Sequence, residues 1–208
     1  MMPPIPEHAA IALAYDTLAE RWLDERFNQD NGIRQHAQAL RFLGDGVAGG
    51  WALNVGCGCN TRFNPPLREK GLQLEGIDIS GRMIALAEEA DPGVLLHHAD
   101  ICTWTIPRAY RFISAWDSIW HVGLDEQRPL MRKLMGALDV GGVFIFTAGG
   151  LDGPDTHVDA TMGPQVSYST LGIPGLLEVI GESGCICRHL EFDQTPHKHL
   201  VVIVERVA

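Results

Sequence analysis

The chain has 208 residues, of which 46% are apolar and 20% are charged. This length and composition predict one folded domain over residues 1–208 and exclude disordered, collagen-like and disulfide-scaffold proteins. The net charge of −10 would repel a phosphate backbone, so we expect no nucleic-acid partner.

No apolar run approaches the roughly 18 residues that a membrane helix needs. The opening residues, MMPPIPEH, lack the pattern of a secretory signal. We therefore expect no membrane partner and a cytoplasmic location. The five cysteines lack the spacing of a zinc site, which predicts reduced thiols and no metal. A monomer and a homodimer are both compatible with these features.

The N-terminal segment, residues 1–45, is expected to form a helical cap. Its first helix is predicted within residues 9–27, where apolar residues recur at spacings of four, three and four: Ile11, Tyr15, Leu18 and Trp22. A second helix is predicted over residues 34–43, before a glycine-rich segment.

Residues 46–150 alternate between short apolar runs and helical segments. The apolar runs lie at residues 51–55, 72–79, 94–97, 111–116 and 143–147. The helical segments lie at residues 80–90, where Ser80 is a suitable cap, and at residues 125–138, before Gly141 and Gly142. This alternation predicts a parallel sheet with right-handed crossovers, which is the Rossmann-like doubly wound α/β class.

The last segment, residues 151–208, combines three kinds of structure. A polar stretch at residues 151–169 is interpreted as a loop of a substrate lid. Pro174 is expected to begin a helix that continues through Ile180. Two β-rich runs, residues 185–192 and 199–207, are separated by a turn and predict an antiparallel hairpin. The complete sheet is therefore expected to be mostly parallel and seven-stranded, with an antiparallel C-terminal hairpin strand.

Three polar or glycine-rich features follow the first three strands. The first is Asn54-Val55-Gly56-Cys57-Gly58, in which the glycines let the backbone turn sharply and approach a ligand. The second is Asp78, twenty residues after Gly58, where an acid can accept both ribose hydroxyls of an adenosine. The third is Asp100 with Ile101, suited to an adenine amino group and ring. Because ligands of open α/β sheets lie beyond the carboxyl ends of the strands, these features predict one nucleotide site.

These residues resemble the motifs of the class I S-adenosylmethionine-dependent methyltransferases, especially small bacterial members. The similar stretches are LNVGCG, GIDIS, HADI, FISAWDSIWHV and LDVGGVFIFT, and the resemblance covers about residues 15–147. It implies S-adenosylmethionine as the cofactor, with the glycine loop along the methionine moiety and the acid after strand two on the ribose. The cofactor-binding residues expected on this basis are Tyr15, Asn54, Gly56, Cys57, Gly58, Asp78, Ile79, Met83, Asp100, Ile101 and Trp116.

The first motif departs from the family pattern at two positions. Asn54 stands where an acid is usual and would not attract the ligand's ammonium group, which predicts a lowered cofactor affinity. Asn60 stands in place of a third glycine, and asparagine is a residue that can still adopt the left-handed conformation. Asn64 is expected to cap a delayed helix with Pro65 in its first turn.

The segment after strand four supplies the candidate catalytic residues. Asp117 is expected to face the site, and His121 is a candidate base for an oxygen or nitrogen nucleophile, although an imidazole here can equally be a simple surface residue. Aromatic and histidine side chains that border the proposed substrate pocket are Trp120, His157, Tyr168 and His199.

The sequence therefore predicts methyl transfer from S-adenosylmethionine to an oxygen or nitrogen atom of a small molecule. A nicotinamide-dependent oxidoreductase shares the strand, loop, helix and acid, but its fingerprint ends in glycine or alanine where this chain has Thr61. A noncatalytic S-adenosylmethionine-binding module on the same fold is the other alternative.

Overall fold

The computed structural model describes residues 7–24, 28–44 and 46–208. The helices are α1 (Glu7–Leu18), α2 (Ile33–Ala39), α3 (Asn64–Glu69), α4 (Gly81–Ala90), α5 (Leu124–Gly136) and α6 (Gly172–Glu182). The strands are β1 (Trp51–Val55), β2 (Gln73–Asp78), β3 (Leu95–His98), β4 (Tyr110–Ala115), β5 (Leu138–Gly149), β6 (Asp155–Asp159), β7 (Val166–Thr170), β8 (Cys185–Phe192) and β9 (His199–Arg206). None of the helices in these ranges has the length and apolar character needed to cross a membrane.

Seven strands form the main sheet in the order β3-β2-β1-β4-β5-β9-β8. The first five strands in this order, β3, β2, β1, β4 and β5, pair in parallel with their neighbours. Strand β9 pairs antiparallel with both β5 and β8. The predicted fold class, a Rossmann-like mostly parallel sheet with an antiparallel C-terminal hairpin, is confirmed. The strand order reverses between β1 and β4, which is where such sheets open a ligand crevice.

Each face of the sheet is covered by a separate apolar core, because side chains alternate between the two faces along a strand. In β9, for example, Leu200, Val202 and Val204 join the core that contains α5 and α6. Val201 and Ile203 join the opposite core, which contains residues of α2 and α3. Fully burying each such aliphatic side chain contributes about 1.5–3 kcal/mol, so the two cores hold the sheet in place from both sides.

The first two helices are shorter than predicted. The helix predicted over residues 9–27 ends at Leu18 and continues as a 3₁₀ turn over Ala19–Leu23, while residues 25–27 lie outside the described part of the chain. The second helix covers Ile33–Ala39 rather than residues 34–43.

The interpretation of residues 151–169 as a loop is wrong. They contain β6 and β7, which pair antiparallel as a separate two-stranded sheet. The hairpin escaped prediction because β6 is mostly exposed and shows no apolar alternation. It is supported by contacts of β7 with α1 and with the segment after β4.

Strand β5 begins at Leu138, so the predicted helix over residues 125–138 ends earlier, at Gly136, and Gly141 and Gly142 belong to the strand. The pairing register with β4 shifts between Tyr110 and Phe112, so β5 carries a bulge before its straight part. Helix α6 likewise begins at Gly172, before Pro174.

Candidate active site

The carboxyl ends of β1, β2 and β4 open into one cleft of about 1050 Å³. All eleven residues expected to bind the cofactor line this cleft, together with Asp117 and His121. The strand order explains the convergence, because β2 lies on one side of β1 and β4 lies on the other. The juxtaposition expected from three separate motifs is therefore present in the structure.

The loop after β1 is shaped by two glycines in the left-handed region. Gly56 has φ +63° and Gly58 has φ +57°. A Cβ atom at Gly56 would lie 2.3 Å from Cβ of Ser118, so this glycine lets two loops touch. A Cβ atom at Gly58 would meet only Sδ of Met83, at 4.0 Å. The loop thus leaves open space at Gly58 and close packing at Gly56.

The carboxylate of Asp78 is held by backbone donors at the end of β2. Its Oδ2 accepts from the Gly58 N–H at 2.8 Å, and its Oδ1 accepts from the Ser80 N–H at 2.9 Å. Burial nevertheless raises the pKa of Asp78 above its ordinary value, because desolvation outweighs these hydrogen bonds. Each oxygen keeps a further lone pair, so the carboxylate can still accept from a ligand.

Asp100 lies after β3 and bonds to the first helix. His8 Nδ1 donates to its Oδ2 at 2.6 Å, and the Cys102 N–H donates to its Oδ1 at 2.8 Å. His8 Nε2 is 2.8 Å from a carboxylate oxygen of Glu126. Burial disfavours the His8 imidazolium, but the two carboxylates outweigh it and raise the pKa of His8. Helix α1 is thereby tied to the part of the cleft that follows β3.

Tyr15 and His121 form a hydrogen-bonded pair in the cleft wall. His121 Nδ1 donates to the Ser167 carbonyl at 2.8 Å, so its Nε2 accepts from the Tyr15 hydroxyl at 2.7 Å and from Trp120 Nε1 at 3.1 Å. Burial lowers the pKa of His121 to about 4 and raises that of Tyr15. A neutral imidazole therefore meets a protonated phenol, and both imidazole nitrogens are already hydrogen-bonded.

Asp117, which follows β4, makes four hydrogen bonds with three residues. Its N–H donates to Thr147 Oγ1 at 2.8 Å, and its Oδ1 accepts from Thr147 Oγ1 at 3.2 Å and from His199 Nε2 at 2.8 Å. Its Oδ2 has a longer contact, 3.3 Å, to Asn31 Nδ2. The Asp117 side chain remains 33% exposed, whereas His199 is 8% and Asp193, its second partner, 3% exposed. One oxygen of Asp117 is thus strongly engaged and the other only weakly.

The four residues predicted to border the substrate do not line this cleft. They pack against one another and against residues that do. The Trp120 ring lies 5.5 Å from that of His199 and 6.0 Å from that of Tyr168, measured between centroids. His157 is exposed and stacks on Tyr168 at 5.1 Å. They form a continuous aromatic layer that supports Asp117 and His121.

The three asparagines at and after the end of β1 have different surroundings in the structure. Asn54 lines the cleft, as expected. Asn60 does not adopt the left-handed conformation, which among the described non-glycine residues only Asp117 does; instead its Oδ1 accepts from the Arg62 N–H at 3.0 Å. Asn64 does not cap α3, because Phe63 occupies that position and the Asn64 amide donates to Asp91 at 2.9 Å.

Sequence reasoning missed several residues of the cleft, of which His8 and Arg62 carry charge. His8 lies three residues before Ile11 on the same helical face, so the periodicity of α1 contained a signal for it. Arg62 lies in a loop, where no periodic pattern indicated that it would line the cleft. Its Nε donates to the Asn31 carbonyl at 2.8 Å, and burial lowers its pKa to about 10 despite the nearby charge of Asp117. Arg62 therefore brings a buried positive charge close to Asp117.

Comparisons with known proteins agree with this geometry. A family model described as a methyltransferase domain matches residues 53–146, which run from β1 to β5. The phosphoethanolamine N-methyltransferase 2 of Caenorhabditis elegans is 22% identical over 187 residues, 86% of this chain and 42% of that enzyme. The chain thus spans less than half the length of this curated relative.

Solved structures share the fold over nearly the whole chain. Magnesium protoporphyrin IX methyltransferase from Synechocystis PCC 6803 with bound S-adenosylhomocysteine has a TM-score of 0.73 and 16% identity, covering 97% of this chain and 100% of that one. An S-adenosylmethionine-dependent methyltransferase from Mesorhizobium loti has a TM-score of 0.63 and 21% identity, covering 81% and 96%.

The family match covers the strands and loops that build the cleft, and the fold likeness extends through the C-terminal hairpin. Residues 53–146 thus match the methyltransferase domain family, and the chain has the fold of the class I S-adenosylmethionine-dependent methyltransferases.

Proposed function

We propose that this protein methylates a small molecule on a nitrogen or oxygen atom, and that it prefers an amine. The observation that carries the preference is Asp117, a partly exposed carboxylate in the cleft at the end of β4. A carboxylate accepts hydrogen bonds from both groups, but it also attracts the positive charge of an ammonium group, which a neutral hydroxyl group lacks. The nematode relative named above is an N-methyltransferase, which agrees with an amine acceptor.

The cleft fits S-adenosylmethionine along the line from β3 to β4. Asp100 and Ile101 lie where the adenine would sit, Asp78 where the ribose would sit, and the open side of Gly58 where the amino-acid moiety would pass. Bound S-adenosylmethionine supplies an activated methyl group on a positively charged sulfur.

We assign alignment of the acceptor to Asp117 and Tyr15. Asp117 would draw the acceptor's ammonium end to the β4 side of the cleft. The Tyr15 hydroxyl gives its hydrogen to His121, so its oxygen lone pairs are free to accept from the acceptor's N–H. His121 acts here through Tyr15, since a pKa of about 4 and two occupied nitrogens do not suit a strong base.

Positioning is sufficient for this reaction class. Holding a nucleophile in line with the transferred group can supply about 7–11 kcal/mol of the barrier reduction. The partial burial of Asp117 lowers the local dielectric constant, which strengthens its attraction for an ammonium group relative to that in water. The acceptor must reach the methyl group as the neutral amine, and the proton it sheds passes to Asp117 or to water.

The test measures S-adenosylhomocysteine formation with matched acceptors that differ only in the nucleophile. One pair is phosphoethanolamine with 2-hydroxyethyl phosphate, the other is ethanolamine with ethylene glycol, within a wider panel of amine metabolites. We expect turnover on amine members, and a loss of about 10- to 100-fold in kcat/KM in Asp117→Asn. Glu89→Gln, an exposed acid on α4, is the control. Equal turnover of amine and hydroxyl partners would refute the preference.

A further inference from the structure

Asp117 has an unfavourable backbone conformation that its surroundings must maintain. It has φ +52° and is the one non-glycine residue among those described with a positive φ. Such a conformation costs on the order of 1–3 kcal/mol and persists only where neighbouring contacts enforce it. Two hydrogen bonds with Thr147 Oγ1, one accepted from the Asp117 N–H and one donated to Oδ1, account for part of this, and the remaining strong contact is His199 Nε2.

His199 connects two carboxylates that come from distant parts of the chain. Its Nε2 contacts Asp117 Oδ1 at 2.8 Å, and its Nδ1 hydrogen-bonds to Asp193 Oδ1. Asp193 Oδ2 in turn accepts from Gln35 Nε2 of α2 at 2.8 Å. Because both ring nitrogens face carboxylate oxygens, both must carry hydrogens, and the ring is an imidazolium.

The charge balance supports this protonation state. Burial lowers the pKa of His199, but the hydrogen bonds and charges of Asp117 and Asp193 outweigh burial, so its pKa lies above the ordinary value. Removing one partner from a buried ionic group is costly. Asp193 therefore sustains the charge on His199, and His199 restrains one oxygen of Asp117.

We propose that Asp193 and His199 are a positioning pair that holds Asp117 in its left-handed conformation and so determines the selectivity for amine acceptors. This inference rests on the proposed function and deepens it. The pair binds Oδ1 of Asp117, whereas Oδ2 has one longer hydrogen bond, 3.3 Å, among the described residues and lies in the field of Arg62. We assign the acceptor's ammonium group to Oδ2. Both residues belong to the β8–β9 hairpin, beyond the segment that matches the methyltransferase family model.

The first experiment compares acceptor selectivity with cofactor affinity. Protein saturated with S-adenosylhomocysteine is titrated by calorimetry with phosphoethanolamine and with 2-hydroxyethyl phosphate, using wild type, Asp193→Asn and His199→Gln. We expect both variants to reduce the amine-to-hydroxyl preference by about tenfold or more. The dissociation constant of S-adenosylhomocysteine should stay within about threefold, because neither residue lines the cleft.

The outcomes separate the pair from the proposed function. A wild-type preference for the amine that survives both substitutions overturns the positioning pair alone. A parallel loss of cofactor affinity and melting temperature also overturns it, because it indicates a purely structural role. A wild type without any preference overturns the proposed function, together with the selectivity assigned to the pair.

A second measurement does not depend on the variants folding well. Nitrogen NMR of wild-type protein at pH 6.5, the ordinary pKa of histidine, should show the His199 ring mostly with hydrogens on both nitrogens, as required by its two carboxylate partners. A ring with one hydrogen at this pH would overturn the inference and leave the proposed function standing.

Discussion

At the scale of single residues, Gly56 and Gly58 have similar backbone conformations but should respond differently to substitution by alanine. Gly56 and Gly58 have nearly the same positive φ, so an alanine at either place incurs backbone strain of about 1 kcal/mol or more. Only at Gly56 does the added Cβ collide with a neighbour, Ser118, at 2.3 Å. We expect Gly56→Ala to lower the free energy of unfolding by at least about 2 kcal/mol more than Gly58→Ala, measured by urea denaturation. Equal losses would contradict the packing account.

Asp78 is the residue whose role in the cleft is most directly testable. Asp78→Asn keeps the shape but removes the charge and one acceptor, so hydrogen bonds to a ribose should weaken by about 1.5–3 kcal/mol. The affinity for S-adenosylhomocysteine, measured by calorimetry, should therefore fall about 10- to 100-fold, with Glu88→Gln on the outer face of α4 as the control. An unchanged affinity would show that Asp78 does not bind the cofactor.

At the scale of secondary-structure elements, α1 acts as a strap across the cleft. His8 ties it to Asp100, and Glu126 holds His8 from the other side. Asp16 accepts from Ser80 Oγ at 2.6 Å and joins the strap to α4. We predict that these contacts slow the release of a cofactor bound in the cleft.

The attachment of α1 can be weakened by a substitution at Glu126, which does not line the cleft. Exposed ion pairs contribute about 0–1 kcal/mol. Glu126→Gln should therefore raise the dissociation rate of S-adenosylhomocysteine by up to about fivefold, as measured by stopped-flow displacement. The matched control is Glu178→Gln, on the surface of α6, which should leave the rate unchanged. A slower release from Glu126→Gln would show that α1 does not gate the cleft.

The elements also show what the sequence could and could not reveal. Strands β1, β2 and β4 were predictable because each lies in a short run rich in apolar residues. Helix α4 was predictable because Ser80 caps it, and the Ser80 Oγ accepts from the Met83 N–H. The motifs likewise identified residues that line one cleft. Strand β6 was not predictable, since its exposed residues satisfy backbone pairing without an apolar pattern.

The partners of the motif residues could not be predicted for a different reason. His8 meets Asp100 across 92 residues, and His199 meets Asp117 across 82. Such pairs depend on which elements become neighbours in three dimensions, and no local spacing encodes them. The sequence indicated that Asp117 and His199 belong near the substrate but not that they touch.

At the scale of the whole molecule, the buried histidines predict how stability depends on pH. Burial lowers the pKa of His36 to about 3 and that of His121 to about 4, from an ordinary value of 6.5. The unfolded chain therefore binds more protons than the folded protein below pH 6.5. Their contribution to stability is complete above pH 6.5 and is lost as the pH falls toward 4 and then 3.

Each of these histidines should steepen the loss of stability by at most about 1.4 kcal/mol per pH unit. His8 and His199 have raised pKa values, so their contributions are complete below pH 6.5 and decline only at higher pH. Urea unfolding between pH 4 and 8 should show a shallower acid limb in His36→Asn than in wild type. Exposed His197→Gln should retain the wild-type slope. An unchanged slope in His36→Asn would contradict this assignment.

The place of β9 between β5 and β8 has a consequence for synthesis of the protein on the ribosome. Strand β9 follows every other strand in sequence yet lies inside the sheet, so β5 presents an unpaired edge until residue 206 has emerged. Most residues that line the cleft are made early, whereas His199, the first residue of β9, arrives late. A nascent chain therefore contains the lining of the cleft well before it contains the partner that His199 provides for Asp117.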